Sequence, residues 1–496
     1  MRRLGVAALG VALMWGGPAA AQLDGDQAKA LADAEAAASP TNNGALTGEL
    51  GFGGLGEDYF LTLSVGFNFD RDNYGFGVQV PLRLRIWDRD PKNDADYGGV
   101  LRREDWDQPS DYLRILRYVY IGQADKRGPY YVRVGELSAL SVGHGTIMHR
   151  YFNGIDANKW RTGVNVAVNV DAYHGEVMLG DLLDPYLVGM RFSMRPFDAV
   201  NPEKETRNPW LSRLVVGHSL FLDGKAPIGY ARDAEGQIVR TDQGTPEVSR
   251  ERALLVLGLV DVAYEVLDTE LLRITPYMDI NKITQVHHGW GWHLGILYNL
   301  KLPLGFDDFV ADARTEFRFV SSDYVGPYFN PVYEIERYQH LDPASAVAQP
   351  KLLYLCGGDP SCDVAVGGPR AGWYFEARAG LPQWFFVGAE YLDYAGPRAD
   401  GQFRVSLEVP ALEFVQLSAY YFRVNVDGPG DLFAIDDKSA IVAQAKVPLY
   451  WVFTLNLRWW RVWRSCGNAG TVCQDAGEGY QSVDDWSVGV GASFTF

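Results

Sequence analysis

Charged side chains recur at every second position of several short apolar stretches, and this spacing is the clearest chemical signal in the chain. In the stretch 309–319, Arg314, Glu316 and Arg318 alternate with alanine, phenylalanine and threonine. Successive side chains of a β-strand point to opposite faces, so these three charges would share one face. The pattern indicates strands with one polar and one apolar side.

The same alternation assigns a mostly basic set of residues to an inward surface. Rings of basic side chains in a pore favour the passage of anions over cations, so this surface could make a channel anion-selective. The alternative is that these charges pair with carboxylates of adjacent strands, such as Asp171, Asp279, Glu376, Glu390 and Glu408, and only keep the interior wet. The predicted pore-lining residues are Arg83, Arg85, Arg133, Arg191, Arg195, Arg273, Arg314, Glu316, Arg318, Arg378, Arg404 and Arg458.

Catalytic and metal-binding motifs give weaker signals. The chain contains no G-x-S-x-G or H-E-x-x-H motif, so we do not expect an enzyme, although catalysis assembled from separate strands leaves no local motif. Four aspartates crowd the stretch 88–96 and could bind Ca²⁺, but their spacing fits no EF-hand, which favours a solvated acidic loop. None of His144, His149, His287, His288 and His293 forms a helical H-x-x-x-H pair. We interpret them as loop or interfacial histidines and predict no metal and no cofactor.

The four cysteines form two local pairs, Cys356 with Cys362 and Cys466 with Cys473. Neither pair has C-x-x-C spacing, and both lie among turn-forming residues. Local disulfides in an oxidising compartment are therefore predicted in preference to a metal site.

Residues 1–21 have the pattern of a cleaved secretory signal peptide, because two arginines precede an apolar run that ends in small residues. Residues 22–46 are Ala-rich and polar, and we expect a periplasmic lead-in. In residues 47–496, apolar and polar residues alternate in one predicted strand after another, and we predict that these residues form the barrel. The net charge of −17, from 62 acidic and 45 basic residues, argues against nucleic-acid binding.

The last strand, Trp486–Phe496, shows the alternation best. Trp486, Val488, Val490, Ala492 and Phe494 share one apolar face, and small or polar residues share the other. A soluble sandwich also alternates, but a single sheet with a lipid-facing side must close on itself. Long polar stretches alternate with short turns, which is typical of barrels with long external loops and short periplasmic turns. We predict an all-β fold, a transmembrane antiparallel up-and-down β-barrel of about 18 to 20 strands.

The signal peptide, the alternating strands over residues 47–496 and the terminal V-G-V-G-A-S-F-T-F together resemble Gram-negative outer-membrane β-barrel proteins of the porin-like kind. The resemblance is architectural and extends to no single transporter family. It implies the cell outer membrane, contact with its lipid and lipopolysaccharide, and assembly by the barrel-assembly machinery through Phe494 and Phe496. No plug domain precedes the strands, which disfavours the TonB-dependent receptors.

Two functions follow as hypotheses. The first is a porin-like channel for passive diffusion of small polar, and especially anionic, solutes. The second is a structural or adhesive barrel with an occluded lumen that acts through its surface loops. The long loop 325–369 is compatible with both, because it could fold inward as a constriction or outward as a receptor surface. A barrel enzyme is a weaker third possibility.

Overall fold

The computed structural model describes most of the chain from residue 44 onward. The predicted signal peptide, residues 22–43, the acidic stretch 88–96, Cys466, Cys473 and Phe496 lie outside the described residues. The described ranges are 44–55, 58–71, 73–87, 100–102, 105–106, 108–122, 128–137, 139–155, 160–201, 203–236, 238–239, 246–305, 307–340, 349–364, 366–382, 384–396, 401–412, 415–426, 428–436, 438–465 and 480–495.

Strands dominate this part of the chain. They are β1 (Gly44–Leu55), β2 (Asp58–Arg71), β3 (Tyr74–Trp87), β4 (Leu116–Gly122), β5 (Tyr130–Gly135), β6 (Leu140–Val142), β7 (Met148–Tyr151), β8 (Gly163–Val170), β9 (Tyr173–Leu179), β10 (Leu187–Met194), β11 (Leu214–Tyr230), β12 (Val248–Tyr264), β13 (Leu267–Asp268), β14 (Leu272–Ile283), β15 (Trp290–Pro303), β16 (Asp308–Val320), β17 (Arg370–Leu381), β18 (Phe385–Tyr394), β19 (Gly401–Leu412), β20 (Val415–Val426), β21 (Ser439–Tyr450), β22 (Phe453–Ser465) and β23 (Tyr480–Thr495).

Helical structure within the described ranges is confined to connections. The segments are α1 (Pro109–Tyr112), α2 (Pro196–Val200), α3 (Tyr333–Glu336), α4 (Lys351–Leu355) and the 3-10 turns Leu113–Ile115, Lys204–Thr206 and Leu211–Arg213. Across the described residues, no helix has the length and apolar character needed to cross a membrane.

The main sheet closes on itself through its first and last strands. β1 pairs antiparallel with β2 on one side and with β23 on the other, so that Leu50 lies opposite both Leu63 and Val490. Over the described residues this sheet has 21 strands, of which β13 is a two-residue strand beside β14. Twenty strands therefore form the wall, which confirms the predicted antiparallel barrel at the upper end of the predicted strand count.

The outward faces of the wall carry exposed apolar side chains. In water such a belt would be costly, whereas hydrocarbon solvates it well, and closure leaves no unpaired strand edge in the lipid. The protein is therefore an outer-membrane type β-barrel, as predicted. The belt includes Leu46, Leu50, Leu63, Val65, Val80, Val168, Val177, Met190, Phe192, Leu259, Leu294, Phe317, Phe375, Val387, Val488, Val490 and Phe494.

Two of the described connections pack together inside the barrel. Residues 139–155, which we call the inner hairpin, contain the paired strands β6 and β7. Residues 321–340 and 349–356, the inner loop, contain α3 and α4. The two meet in the interior, because the His149 N–H donates to the Phe329 carbonyl at 3.0 Å and the Phe329 N–H donates to the Ile147 carbonyl at 3.0 Å.

An apolar core lies inside the barrel where these connections contact the wall. Met148 and Tyr151 of the inner hairpin and Phe329 of the inner loop pack in one cluster with Phe221 and Leu254 of the wall. The long loop thus folds inward, which resolves an alternative that the sequence leaves open. The barrel wall also begins slightly before the predicted start, because β1 starts at Gly44.

A substitution at Gly53 tests the pairing of β1 with β23, the closing seam of the barrel. A Cβ at Gly53 would lie 2.1 Å from the Trp486 carbonyl oxygen, whereas a Cβ at Gly48 on the same strand meets nothing within 4 Å. Gly53→Ala should therefore force β1 and β23 apart and lower the free energy of unfolding by about 1–3 kcal/mol. Gly48→Ala is the matched control. Urea titration in phospholipid vesicles measures both, and equal losses in the two variants would contradict the seam.

Candidate functional site

The charges at alternate positions of β16 do lie on the inward face, but they are sealed from solvent. Arg318 Nε contacts Glu316 Oε2 at 2.6 Å, and Arg314 Nη2 contacts Glu376 Oε2 at 3.2 Å. Both guanidinium groups lie 4.3 Å from the ring centroid of Tyr374. Because Arg314 and Arg318 are 1% and 0% exposed, this ladder binds strands together and does not face a solvent path.

Other predicted pore-lining arginines are also buried in ion pairs on inward faces. Removing one partner of a buried ion pair leaves an uncompensated charge, so these pairs are needed for the stability of the wall. They are Arg191 with Asp261 at 2.7 Å, Arg378 with Glu408 at 2.9 Å and Arg404 with Glu390 at 2.8 Å.

The remaining predicted residues lie nearer the ends of the strands. Arg195 and Arg273 contact Glu265 and Asp268, beside the connections that precede β11 and β14. Arg85 lies on the inward side of β3. The Arg133 guanidinium lies 5.6 Å from the Tyr118 ring centroid.

One expected inward carboxylate is placed differently. Asp171 is not on an inward strand face, because β8 ends at Val170 and Asp171 lies in the turn before β9. Its backbone φ of 50° belongs to the left-handed region, which aspartate tolerates better than most residues. There its carboxylate binds Arg207, so it belongs to the surface of the barrel end.

The inner hairpin is fastened to the wall by charge. Arg150 binds the Glu376 carboxylate through Nε at 3.0 Å and through Nη2. Nε2 of His149 lies 3.4 Å from Glu376 and 3.7 Å from Glu390. Arg404 approaches the same two carboxylates from β19. The hairpin thus inserts two basic side chains into an acidic part of the wall.

Ser141, His149 and Glu376 stand in the order of a hydrolase triad, with Ser141 Oγ 3.1 Å from His149 Nδ1. The surroundings oppose that chemistry. Ser141 Oγ already accepts the Arg150 backbone N–H at 2.9 Å, and Arg150 Nε lies 3.2 Å from His149 Nε2. Ser141 is only 8% exposed. The arrangement fastens the hairpin, and the absence of enzymatic activity stays a prediction.

A second cluster lies at the tip of the inner hairpin. His144 Nδ1 is 3.0 Å from Asp279 Oδ1 and 3.5 Å from Asp261 Oδ1, and its ring stacks on Tyr277 with centroids 4.2 Å apart. Burial alone would lower the pKa of His144, but the two carboxylates outweigh burial and raise it. His144, Asp261 and Asp279 form one of two groups among the described residues with metal-ligating potential; His149, Glu376 and Glu390 form the other.

The inner loop is held by its own buried ion pairs. Glu334 accepts the Tyr151 hydroxyl at 2.5 Å and lies 3.3 Å from Arg161 Nη2. Arg337 Nη2 contacts Asp223 of β11 at 3.0 Å. These contacts link the inner loop to both the inner hairpin and the wall, so the two connections form one packed body.

Beside β1 the interior is polar, although further along β20–β22 the side chains of Phe422, Val442 and Trp463 pack against Phe152 of the inner hairpin and Val332 of the inner loop. A cavity of about 90 Å³ lies against the wall formed by β1 and β20–β23, and its lining includes Glu49, Gln444, Lys446, Asn456 and Arg458. Asn456 Nδ2 donates to Glu49 Oε2 at 2.9 Å. Among the described residues Lys446 forms no salt bridge. This is polar surface that solvent reaches.

Arg83 and Arg458 extend that surface. Both guanidinium groups share Asp485, at 3.5 Å and 3.0 Å, and their side chains are 17% and 30% exposed. That exposure separates them from Arg314 and Arg318 of the sealed ladder. Of the predicted pore-lining set, Arg83 and Arg458 therefore contact the accessible side of the lumen.

The smaller predictions have mixed outcomes. The Cys356–Cys362 disulfide is confirmed, with Cα atoms 4.5 Å apart. His293 lies on the inward face of β15 and bonds Glu316 and Tyr324, so it is neither a loop nor an interfacial residue. Phe494 is exposed on the outward face of β23, and its role in assembly stays a prediction.

Sequence reasoning missed the residues of the inner hairpin that bind the wall. A local signal was present in G-H-G at 143–145, because both glycines have positive φ values, 64° and 73°. A Cβ at Gly145 would lie 2.7 Å from Arg314 Nη1. Glycines on both sides of a buried histidine therefore mark a tight turn pressed against the wall.

No family model matches the chain, and no curated protein matches it. Solved structures show distant likeness. OccAB3 of Acinetobacter baumannii has 9% identity and a TM-score of 0.32, with 92% of this chain and 99% of that chain covered. OprD of Pseudomonas aeruginosa has 9% identity and a TM-score of 0.32, with 92% and 95% covered. Wzi of Escherichia coli, described as a carbohydrate-binding β-barrel, has 11% identity and a TM-score of 0.33, with 95% and 86% covered. These likenesses are too distant to indicate a function.

Asp105 provides a test of pH dependence. It is buried beside Arg102 at 2.6 Å, Arg114 at 3.1 Å and Arg83 at 3.8 Å. Burial would raise the pKa of Asp105, but these cations lower it to about 2. The carboxylate therefore stabilises the fold above its unfolded pKa of about 4, and this stability is lost as the pH falls toward 2.

Asp105→Asn should lower the free energy of unfolding on the order of 2 kcal/mol at pH 6, and the difference from the native protein should shrink toward zero near pH 2. Urea titrations at the two pH values measure it. Asp359→Asn, on the surface, is the control and should show little change. A deficit that is the same at both pH values would refute the ionic role of Asp105.

Arg150→Gln tests the fastening of the inner hairpin. It leaves Glu376 and Glu390 buried with one cation fewer, which should cost about 3–5 kcal/mol. Lys225→Gln removes the exposed pair with Asp184 and should cost little. The measurements are urea titration and protease cleavage within residues 139–155. A native-like Arg150→Gln protein would show that the hairpin is held by packing alone.

Proposed function

We propose that the protein is an outer-membrane channel for the passive diffusion of small polar solutes, with a mild preference for anions. The path runs beside the wall of β1–β3 and β23 and past Lys446 and Arg458 of β21 and β22, where the body formed by the inner hairpin and inner loop leaves polar surface open. The observation that carries the proposal is the asymmetry of the interior. Ion pairs and packed loops fill the β10–β19 side, and an apolar cluster around Phe152, Val332 and Trp463 fills one half of the β20–β22 side. Polar side chains beside Glu49, Lys446 and Arg458, on the other half of these strands, reach solvent.

The charges along this path support the anion preference. Arg83 and Arg458 share Asp485, and Arg83 also contacts the buried Asp105, whereas Lys446 lies in the cavity lining without a salt bridge to any described residue. Basic side chains around a narrow aqueous path raise the local concentration of anions. Lys446 contributes most directly, because no carboxylate neutralises it through a salt bridge.

A second candidate function is a structural or adhesive barrel that acts through its surface loops. The continuous buried pairing of Arg314, Glu316, Arg318, Glu376 and Arg150 favours it, because such a network fills space that a wide pore would need. Single-channel recording of the refolded protein in planar bilayers separates the two. Discrete conductance steps favour the channel, and folded protein without conductance above leak favours the occluded barrel.

Ion selectivity tests the position of the path. Two charges about 10 Å from a passing ion in water each change its energy by about 0.4 kcal/mol, so Lys446→Gln with Arg458→Gln should lower the anion to cation permeability ratio roughly two- to fourfold at low salt. The reversal potential across a salt gradient measures this. Arg273→Gln, whose side chain pairs with Asp268, is the control and should leave the ratio unchanged. Equal shifts in both proteins would place the path elsewhere.

A further inference from the structure

Two carboxylates face each other directly across neighbouring strands. Asp261 of β12 and Asp279 of β14 are register partners, and both are buried. Like charges in directly opposite positions of a sheet destabilise it, and burial increases that cost. A positive charge must therefore lie between them, and His144 at the tip of the inner hairpin points into that place.

The three side chains have the geometry of a metal site. His144 Nδ1 lies 3.0 Å from Asp279 Oδ1 and 3.5 Å from Asp261 Oδ1, and the three atoms all lie within 4.8 Å of one another. Zinc binds histidine nitrogen and carboxylate oxygen at about 2.0–2.2 Å in a tetrahedron, whose ligand atoms are roughly 3.3 Å apart. The spacing thus fits an ion between the three atoms.

A proton on His144 satisfies this cluster less completely than a divalent ion. One Nδ1–H can donate to Asp279 or to Asp261 but not fully to both, and among the described residues Asp261 Oδ1 has no hydrogen-bond donor. Arg191 binds the other oxygen of Asp261 and lies opposite a third carboxylate, Glu176, in the register of β9 and β10. Three carboxylates and one arginine leave two negative charges, which a divalent ion would neutralise.

The surrounding residues orient the ligands. Thr146 donates to Asp279 Oδ2 at 2.7 Å, and Asn281 donates to Thr146 Oγ1 at 3.0 Å. Because Thr146 occupies Oδ2 of Asp279, Oδ1 of Asp279 is available at the centre of the cluster. In the same way Arg191 occupies Oδ2 of Asp261 and leaves its Oδ1 available. Metal sites commonly use such outer hydrogen bonds to fix the donor atoms.

We propose that His144, Asp261 and Asp279 bind a divalent transition-metal ion of the zinc class, which fastens the inner hairpin to the barrel wall. The second group, His149 with Glu376 and Glu390, is not such a site. Arg150, Arg314 and Arg404 already compensate its carboxylates. The two groups share ligand types and burial, so the second serves as an internal control.

The test is zinc binding by the full-length refolded protein, produced without a histidine tag. Elemental analysis after equilibration with Zn²⁺ and gel filtration should give one zinc per chain. His144→Gln should abolish that zinc and His149→Gln should retain it. Thr146→Val should weaken binding by roughly tenfold. Cobalt substitution should give visible absorption bands of a four-coordinate ion in the native protein and not in His144→Gln.

Folding is checked for each variant by the heat-dependent gel mobility of the barrel. If His144→Gln does not fold, the native protein alone still decides, because zinc should raise its unfolding temperature with saturation at one equivalent. Three outcomes would overturn the proposal. They are retention of zinc by a folded His144→Gln protein, loss of zinc in a double His287→Gln, His288→Gln variant, and absence of bound zinc in the native protein. In the last case the cluster holds a proton only.

Discussion

The structure depends on one constraint, that backbone donors and acceptors placed in hydrocarbon must find partners within the protein. The pairing of β1 with β23 meets that constraint, because it converts an open sheet with two exposed edges into a closed one. Every other property of the fold follows from closure. The outward faces can then be largely apolar, and the inward faces become a compartment of their own, separated from lipid by one layer of backbone.

Closure with twenty strands creates an interior too wide for wall side chains to fill, since barrels of 16 to 18 strands already leave an aqueous channel. The protein fills much of this interior with its own connections. The inner hairpin and the inner loop supply an apolar core around Met148 and Phe329, while their basic side chains meet carboxylates on the wall. An interior built in this way needs paired charges, because an isolated charge buried beside these loops would cost several kcal/mol.

The filling is uneven, because the connections pack against β10–β19 and against one half of β20–β22 but leave polar surface beside Glu49 and Lys446. Charges on β12–β19 form ion pairs within the wall and with the inner hairpin, so they stabilise the fold. Chemically similar charges on β3, β21 and β22 keep contact with solvent, which is the basis of the proposed path. Arg318 and Arg458 have the same side chain and the same inward orientation. Their difference in exposure arises because the inner loop covers Arg318 and leaves Arg458 accessible.

The sequence by itself determined the wall. Period-two alternation depends only on local backbone geometry, so it correctly predicted the closed barrel and the inward faces of β16 and β23. The spacing of the cysteines separately predicted the local disulfide at Cys356. It also predicted the inward orientation of Arg83, Arg314 and Arg458. Only the tertiary structure decided which inward charges are sealed, because that depends on where residues 139–155 and 321–340 fold. Those segments contain only strands of three or four residues and a one-turn helix, too short for a periodic pattern. Their contacts join residues far apart in the chain, such as His144 with Asp279 and Arg150 with Glu376.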